Sequence, residues 1–359
     1  MGDPTFDAIA AKVEAGERLT EAEALALFEG GELNRIGALA NRVRQARHGR
    51  DCYFNVNRHL NPTNVCVYRC QFCGFRRDGH EPDAYLMSVE EALARLEGAE
   101  AAGITEVHIV GGMTPKAGLA YYERLLRAIR EAHPALHIKA FTAVEIAFFC
   151  RLEGISHRAC LERLVEAGLD SMPGGGAEIF AERVRRQVCK EKAGAEEWLA
   201  VHRTAHELGL RTNATMLYGH VETLAERVDH MARLRRLQDE TGGFQVFIPL
   251  AYHNENNPLA GEMTTAFDDL RTLAIARLFL DNFDHIKSFW VMHTPELAQV
   301  ALHYGVDDLD GTVTEERITA AAGGRTAGRE SKEALVELIR AAGFVPVERS
   351  TVYQELARF

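Results

Sequence analysis

Between residues 51 and 342 the chain repeats one pattern about eight times, a short β-like run followed by a helical stretch. The runs are Tyr53 to Asn57, Glu106 to Val110, His137 to Phe141, Ser171-Met172, Arg211 to Leu217, Gln245 to Pro249, Ile286 to Trp290 and Val306 to Leu309. Helical stretches between them include Ser88 to Ala102, which opens on Ser-x-x-Glu, Glu222 to Asp239, Phe267 to Asn282 and Pro295 to His303. After the second run, Leu119, Tyr122, Leu125, Leu126 and Ile129 share one helical face. Such alternation, without Asn-Gly hairpin signals, predicts a parallel sheet. Eight units predict an α/β fold closed as a (β/α)8 TIM-type barrel, with a doubly wound open sheet as the alternative. Residues 1–50 read as a helical N-terminal extension with a cap at Leu19-Thr20-Glu21-Ala22-Glu23. Residues 343–359 read as a short C-terminal extension whose Phe344 to Tyr353 segment is a strand.

Composition narrows the partners. The 41 Lys+Arg against 52 Asp+Glu give a formal charge of -11, which repels phosphate backbones and predicts no nucleic-acid partner. No apolar run approaches the roughly 18 residues of a membrane span, and Met1-Gly2-Asp3-Pro4 has no basic or apolar leader character. A cytoplasmic protein without a membrane partner is expected. Seven cysteines is an odd number, and three of them crowd into eight residues. That pattern predicts a reducing compartment and a metal site rather than a disulfide framework.

The crowded segment is Cys66-Val67-Tyr68-Arg69-Cys70-Gln71-Phe72-Cys73. It follows the first predicted strand, which in a barrel places it in a loop at the catalytic rim. Thiolates are soft ligands, and three of them can hold three corners of an iron-sulfur cubane while the fourth iron stays open to a ligand. The rival readings are a structural zinc site completed by His80, or three unconnected core cysteines. Structural zinc ordinarily draws a second cysteine pair further along, and the chain has none.

This spacing, with Phe72 before the last cysteine, resembles the signature of radical S-adenosylmethionine (SAM) enzymes. Further matches are Asn61 to Val65, Gly111-Gly112, Thr142 to Ile146, Pro173 to Glu178, Thr212 to His220 and Gln238 to Pro249. They point to the branch holding the menaquinone futalosine-pathway enzymes and the deazaflavin synthases. Phe247-Ile248-Pro249-Leu250-Ala251-Tyr252-His253 is more similar to the aminodeoxyfutalosine synthases than to the cyclases of that pathway. The resemblance implies a 4Fe-4S cluster on Cys66, Cys70 and Cys73, SAM as a consumed co-substrate, and an electron donor such as flavodoxin or ferredoxin.

It further implies that the 5'-deoxyadenosyl radical adds to the enol-ether double bond of 3-[(1-carboxyvinyl)oxy]benzoate. Aryl migration and loss of carbon dioxide or bicarbonate then give 6-amino-6-deoxyfutalosine. Counted on the neutral acid, one hydrogen is in excess, so a proton and an electron must leave. The alternatives are a hydrogen-abstracting enzyme of the same branch, either a dehypoxanthine futalosine cyclase or a deazaflavin synthase, and a zinc-binding barrel without radical chemistry.

Cofactor-binding candidates are Phe72, Gly111, Gly112, Thr142, Glu145, Gly175, Glu178 and Thr215, each at or beside the carboxyl end of a predicted strand. Gly111-Gly112 is either a plain turn or a close backbone approach to the methionine amino group, with Met113 where the branch often has an acid. Glu145 and Glu178 are either exposed acids at helix starts or partners for ribose hydroxyls. His220 is the first catalytic candidate for proton handling or carboxylate contact, and His253 the second. A dicarboxylate substrate calls for cations, and Arg76, Arg77, Arg183 and Lys192 are available near the rim.

Overall fold

In the computed structural model, which describes residues 4–30, 32–259, 261–323 and 330–359, strand order follows chain order throughout the larger of two sheets. The expected leaderless start at Met1 to Asp3 lies outside the described residues. Among the described residues, eleven strands form these two sheets. They are β1 (Asp51–Asn55), β2 (Asn57–Leu60), β3 (Glu106–Ile109), β4 (His137–Ala140), β5 (Ser171–Met172), β6 (Arg211–Tyr218), β7 (Phe244–Ala251), β8 (His285–Ile286), β9 (Asp308–Gly311), β10 (Val345–Arg349) and β11 (Glu355–Arg358). The larger sheet runs β2-β3-β4-β5-β6-β7-β8, all parallel. A doubly wound sheet would reverse its order partway, and this one does not.

The segment from β9 closes the curl. On one side Ser288 N–H donates to the Asp308 carbonyl at 2.9 Å, and on the other His59 N–H donates to the Thr314 carbonyl at 2.8 Å. The seven strands and this eighth segment make a barrel of TIM type. Outward residues Val107, Ile109 and Ile138 join one apolar core with Leu125, Leu126 and Ile129 of the helix Leu119–Ala132. Inward positions carry the polar groups described below.

Three local departures from expectation have physical causes. The first predicted strand breaks at Val56 into β1 and β2, because Asn57 turns to the β9 exit, its Oδ1 accepting Val313 N–H at 2.7 Å. β1 then pairs with β9 and β10 in the smaller sheet. The Ser88 cap forms with Glu91 as expected, but the helix is only Val89–Ala94, and Gly98 turns the chain at a φ of 73°. The final segment is two antiparallel strands rather than one. Its turn is held by Ser350, whose N–H donates to the Gln354 carbonyl at 2.8 Å, with Tyr353 at a φ of 61°.

The N-terminal region is helical as expected, in Pro4–Glu14, Glu21–Glu29 and Leu33–His48. Thr20 and Glu23 form a reciprocal capping box. Among the described residues no helix is long and apolar enough to cross a membrane.

Candidate active site

A cavity of about 310 Å³ opens at the carboxyl ends of the barrel strands. The chain leaves β2 through Asn61 to Val65, which is pinned to the end of β3: Gly112 N–H donates to the Thr63 carbonyl and Val67 N–H to the Met113 carbonyl, both at 2.8 Å. A side chain at Gly112 would meet the Val65 carbonyl oxygen at 2.3 Å, so only glycine lets these two backbones approach. This contact delivers Cys66, Cys70, Cys73 and Phe72 to the cavity wall.

The residues fit an iron-sulfur cluster better than a single ion. Among the described residues, the one trio of His, Cys, Asp or Glu with ligand atoms all within 4.8 Å is His48, His285 and Asp307, not the cysteines. Zinc at about 2.3 Å from each sulfur would draw three thiolates to about 3.8 Å. The wider spread suits a cubane, whose corners stand apart, and the donors are the soft ones it takes. Burial pushes the Cys66 and Cys70 thiols up, Cys70 to about 12, with Lys192 partly opposing. The zinc reading fails in its ligand as well, since His80 is exposed and outside the cavity. The His48 trio is already satisfied: Asp307 accepts from His285 Nδ1 at 2.5 Å and from Arg277.

The other cofactor candidates border the same space. Thr142 caps the helix Ala143–Glu153 in a capping box with Glu145. Glu145 is buried rather than exposed, and also accepts Gly111 N–H at 3.2 Å. Burial pushes its carboxyl up to about 7, against the pull of the Thr142 and Gly111 groups. Both N–H groups of the glycine pair are therefore committed, and what the pair has for an ammonium group is carbonyl oxygen.

Glu178 is likewise buried, at a φ of 46°, and meets Lys192 Nζ at 2.6 Å. Burial alone would raise its pKa, but Lys192 holds it below the usual carboxylate range. Lys192 also lies 5.2 Å from the centre of the Phe72 ring. Gly175 and Thr215 complete this side, the Thr215 hydroxyl donating to the Gly174 carbonyl at 2.6 Å.

The two histidines part company. His253 borders the cavity and reaches the Met292 carbonyl from Nε2 at 3.1 Å. His220 does not border it. Its Nδ1 accepts Val221 N–H at 2.7 Å and its Nε2 donates to the Leu217 carbonyl at 3.0 Å, so both ring nitrogens hold the turn after β6. His220, expected to handle protons, thus lies outside the cavity lining with its ring engaged by the turn. Of the four cations, Arg76 and Lys192 line the cavity, whereas Arg77 pairs with Asp83 at 2.7 Å and Arg183 with Glu226 at 2.6 Å outside it.

Sequence reasoning missed His59, His108, Asp310 and Glu316, all bordering the cavity. His59 and His108 are directly paired inward positions of β2 and β3. Alternation along Asn57–Leu60 was the available signal, but the predicted strand ended at Asn57.

Residues 60–234 match the radical SAM superfamily and residues 241–358 match the CofH/MqnC C-terminal region. An aminodeoxyfutalosine synthase of Thermus thermophilus is 50% identical, with 99% of this chain and 96% of that protein covered. One from Streptomyces coelicolor is 47% identical, with 97% and 93% covered. Among solved structures, the FeFe-hydrogenase maturase HydG from Carboxydothermus hydrogenoformans gives a TM-score of 0.77 at 20% identity, over 97% of this chain and 80% of that one. That last likeness concerns the fold alone. With three thiols brought together at the mouth of a closed barrel, and with relatives matched end to end, the chain belongs to the radical SAM superfamily, in the group that joins its barrel to a CofH/MqnC C-terminal region.

Proposed function

We propose that this chain adds the 5'-deoxyadenosyl group of SAM to 3-[(1-carboxyvinyl)oxy]benzoate, with aryl migration and loss of carbon dioxide, to form 6-amino-6-deoxyfutalosine for menaquinone. The observation that carries this reading is the 50% identity to an aminodeoxyfutalosine synthase along essentially the whole of both chains. Cys66, Cys70 and Cys73 would hold the 4Fe-4S cluster. When bound, the cluster supplies the single electron that cleaves the sulfonium carbon–sulfur bond of SAM. The remaining roles belong to the chain itself. Carbonyl groups at Gly111 and Gly112 receive the methionine ammonium, Glu145 and Glu178 face the ribose, and Phe72 with Lys192 borders the cluster loop. Barrel closure excludes water from a reactive carbon radical.

Charge bookkeeping simplifies what the protein must do. The excess hydrogen counted on the neutral acid is the one its carboxyl group has already lost in water. With the carboxylates ionised, radical plus substrate differs from product plus carbon dioxide by one electron and no proton, and the cluster oxidised in cleaving SAM would take that electron back. No side chain needs to take a proton from carbon, which agrees with a cavity where His220 is absent and His253 is tethered. We read residues 51–342 as the barrel, 1–50 and 343–359 as its extensions, a flavodoxin or ferredoxin as the electron source, and the cytoplasm as its place.

The test is product analysis. Anaerobically reconstituted protein, given SAM, dithionite and the enol-ether benzoate, should form the adenosyl adduct and methionine one for one. Release of free 5'-deoxyadenosine in step with product would instead indicate hydrogen abstraction and overturn the reading.

A further inference from the structure

Deep in the cavity, below the cysteine loop, lies a polar site that no residue of the SAM end explains. His59 and His108 stack with ring centres 4.6 Å apart and planes 14° apart, and both face the cavity. His59 is 8% exposed, and its Nε2 is enclosed without a hydrogen-bond partner. A buried nitrogen of this kind is costly unless something arrives to meet it. His59 and His108 are the inward next-to-last positions of β2 and β3, and the chain runs on past them to the cysteine loop and to the glycine pair.

The surrounding charges are already matched. Glu106 meets Lys139 at 2.6 Å, Asp310 meets Lys287 at 3.1 Å, and Arg349 meets Asp308 at 2.6 Å. Glu316, also at the cavity wall, accepts Ile318 and Thr319 N–H at 2.7 and 2.8 Å. Among the described residues, the cations nearest the stack, Lys139, Lys287 and Arg349, are already paired, so an anion bound against the stack takes its donors from the imidazoles. Between floor and rim the wall is apolar, with Val110, Leu217, Ile248, Leu250, Phe289 and Met292. That is the lining an aromatic ring requires.

We propose that the His59–His108 stack is the receptor for the ring carboxylate of the aromatic substrate, with the ring held in the apolar belt and the enol-ether end turned up toward the cysteine loop. The inference rests on the substrate named under the proposed function. It assigns the orientation: the carbon that accepts the adenosyl group must lie at the SAM end, so the carboxylate on the far side of the ring reaches the floor. A hydrogen bond to a charged group in a buried site is strong, and its loss falls on binding.

The experiment compares the enol-ether benzoate with its neutral ring carboxamide on reconstituted wild type, His59→Gln and His108→Gln. Wild type should prefer the carboxylate in kcat/KM by roughly a hundredfold. His59→Gln should raise KM at least tenfold, with kcat falling by less than that, and should shrink the preference to within a few fold. A merely structural role would lower both analogues together and keep the preference, which would overturn the proposal. Equilibrium dialysis of isophthalate against the same reconstituted proteins separates the two readings. If wild type forms no adduct yet binds isophthalate, and His59→Gln does not, the receptor stands and the substrate's identity falls. Equal isophthalate binding by wild type and both variants overturns the receptor, as does a wild type that neither binds isophthalate nor turns over.

Discussion

At the scale of single residues, position in the fold decides what chemistry a side chain is left to do. His220 and His253 look alike in the sequence, each near the end of a strand, yet one closes a turn with both nitrogens and the other faces the cavity. Glu145 and Glu178 read equally well as surface acids, and both are buried, one by capping geometry and one by an ion pair. Gly112 carries the sharpest local prediction. Because an added methyl group would meet backbone rather than a movable side chain, Gly112→Ala must push the cysteine loop off β3. It should destabilise the metal-free protein by about 1 to 3 kcal/mol in urea unfolding and lower iron loading in reconstitution. An unchanged midpoint with full iron loading would show that the loop does not depend on this contact.

At the scale of elements, the strand–helix alternation was legible because each unit keeps its own period. It carried the parallel order, the barrel and the position of the cysteine loop. What it could not carry was decided by contacts distant in the chain. The break at Val56 depends on Asn57 meeting Val313, and the run predicted at Val306 to Leu309 shifts to Asp308–Gly311, where it pairs with β1 and its segment bridges both edges of the curled sheet. The C-terminal turn bears no Gly or Asn at its positive-φ position. Tyr353 occupies it, and its ring stacks on His285 with centres 3.5 Å apart. The missed floor residues follow from the first of these. Ending the strand at Asn57 left His59 in a predicted loop, where its pairing with His108 has no signature. The cysteine loop, by contrast, is local in sequence, and its spacing alone pointed to the cavity wall where the cysteines lie.

At the scale of the whole molecule, the barrel encloses several neutral histidines, and this sets its response to acid. Burial drives His206 down to about 4, and His230 and His293 down to about 3. The unfolded chain protonates these groups near 6.5 while the native chain does not, so their contribution is full above about pH 6.5 and declines as pH falls toward 3 to 4. Glu145 works the other way, since a carboxyl raised to about 7 favours the fold at low pH and loses that contribution as pH rises through 7. Three groups outweigh one. The urea midpoint of the metal-free protein should be lower at pH 5.5 than at pH 7.5, and an equal or higher midpoint at pH 5.5 would contradict this balance.

The account as a whole depends on three thiols at the barrel mouth holding a cluster with one iron open to SAM. Iron, acid-labile sulfide and adduct formation, measured together on anaerobically reconstituted wild type and on Cys66→Ala, Cys70→Ala and Cys73→Ala, test it most directly. The account predicts about four irons and four sulfides per wild-type chain, and depleted iron with no adduct in each variant. Any one of the three variants that keeps both full iron and turnover would contradict it.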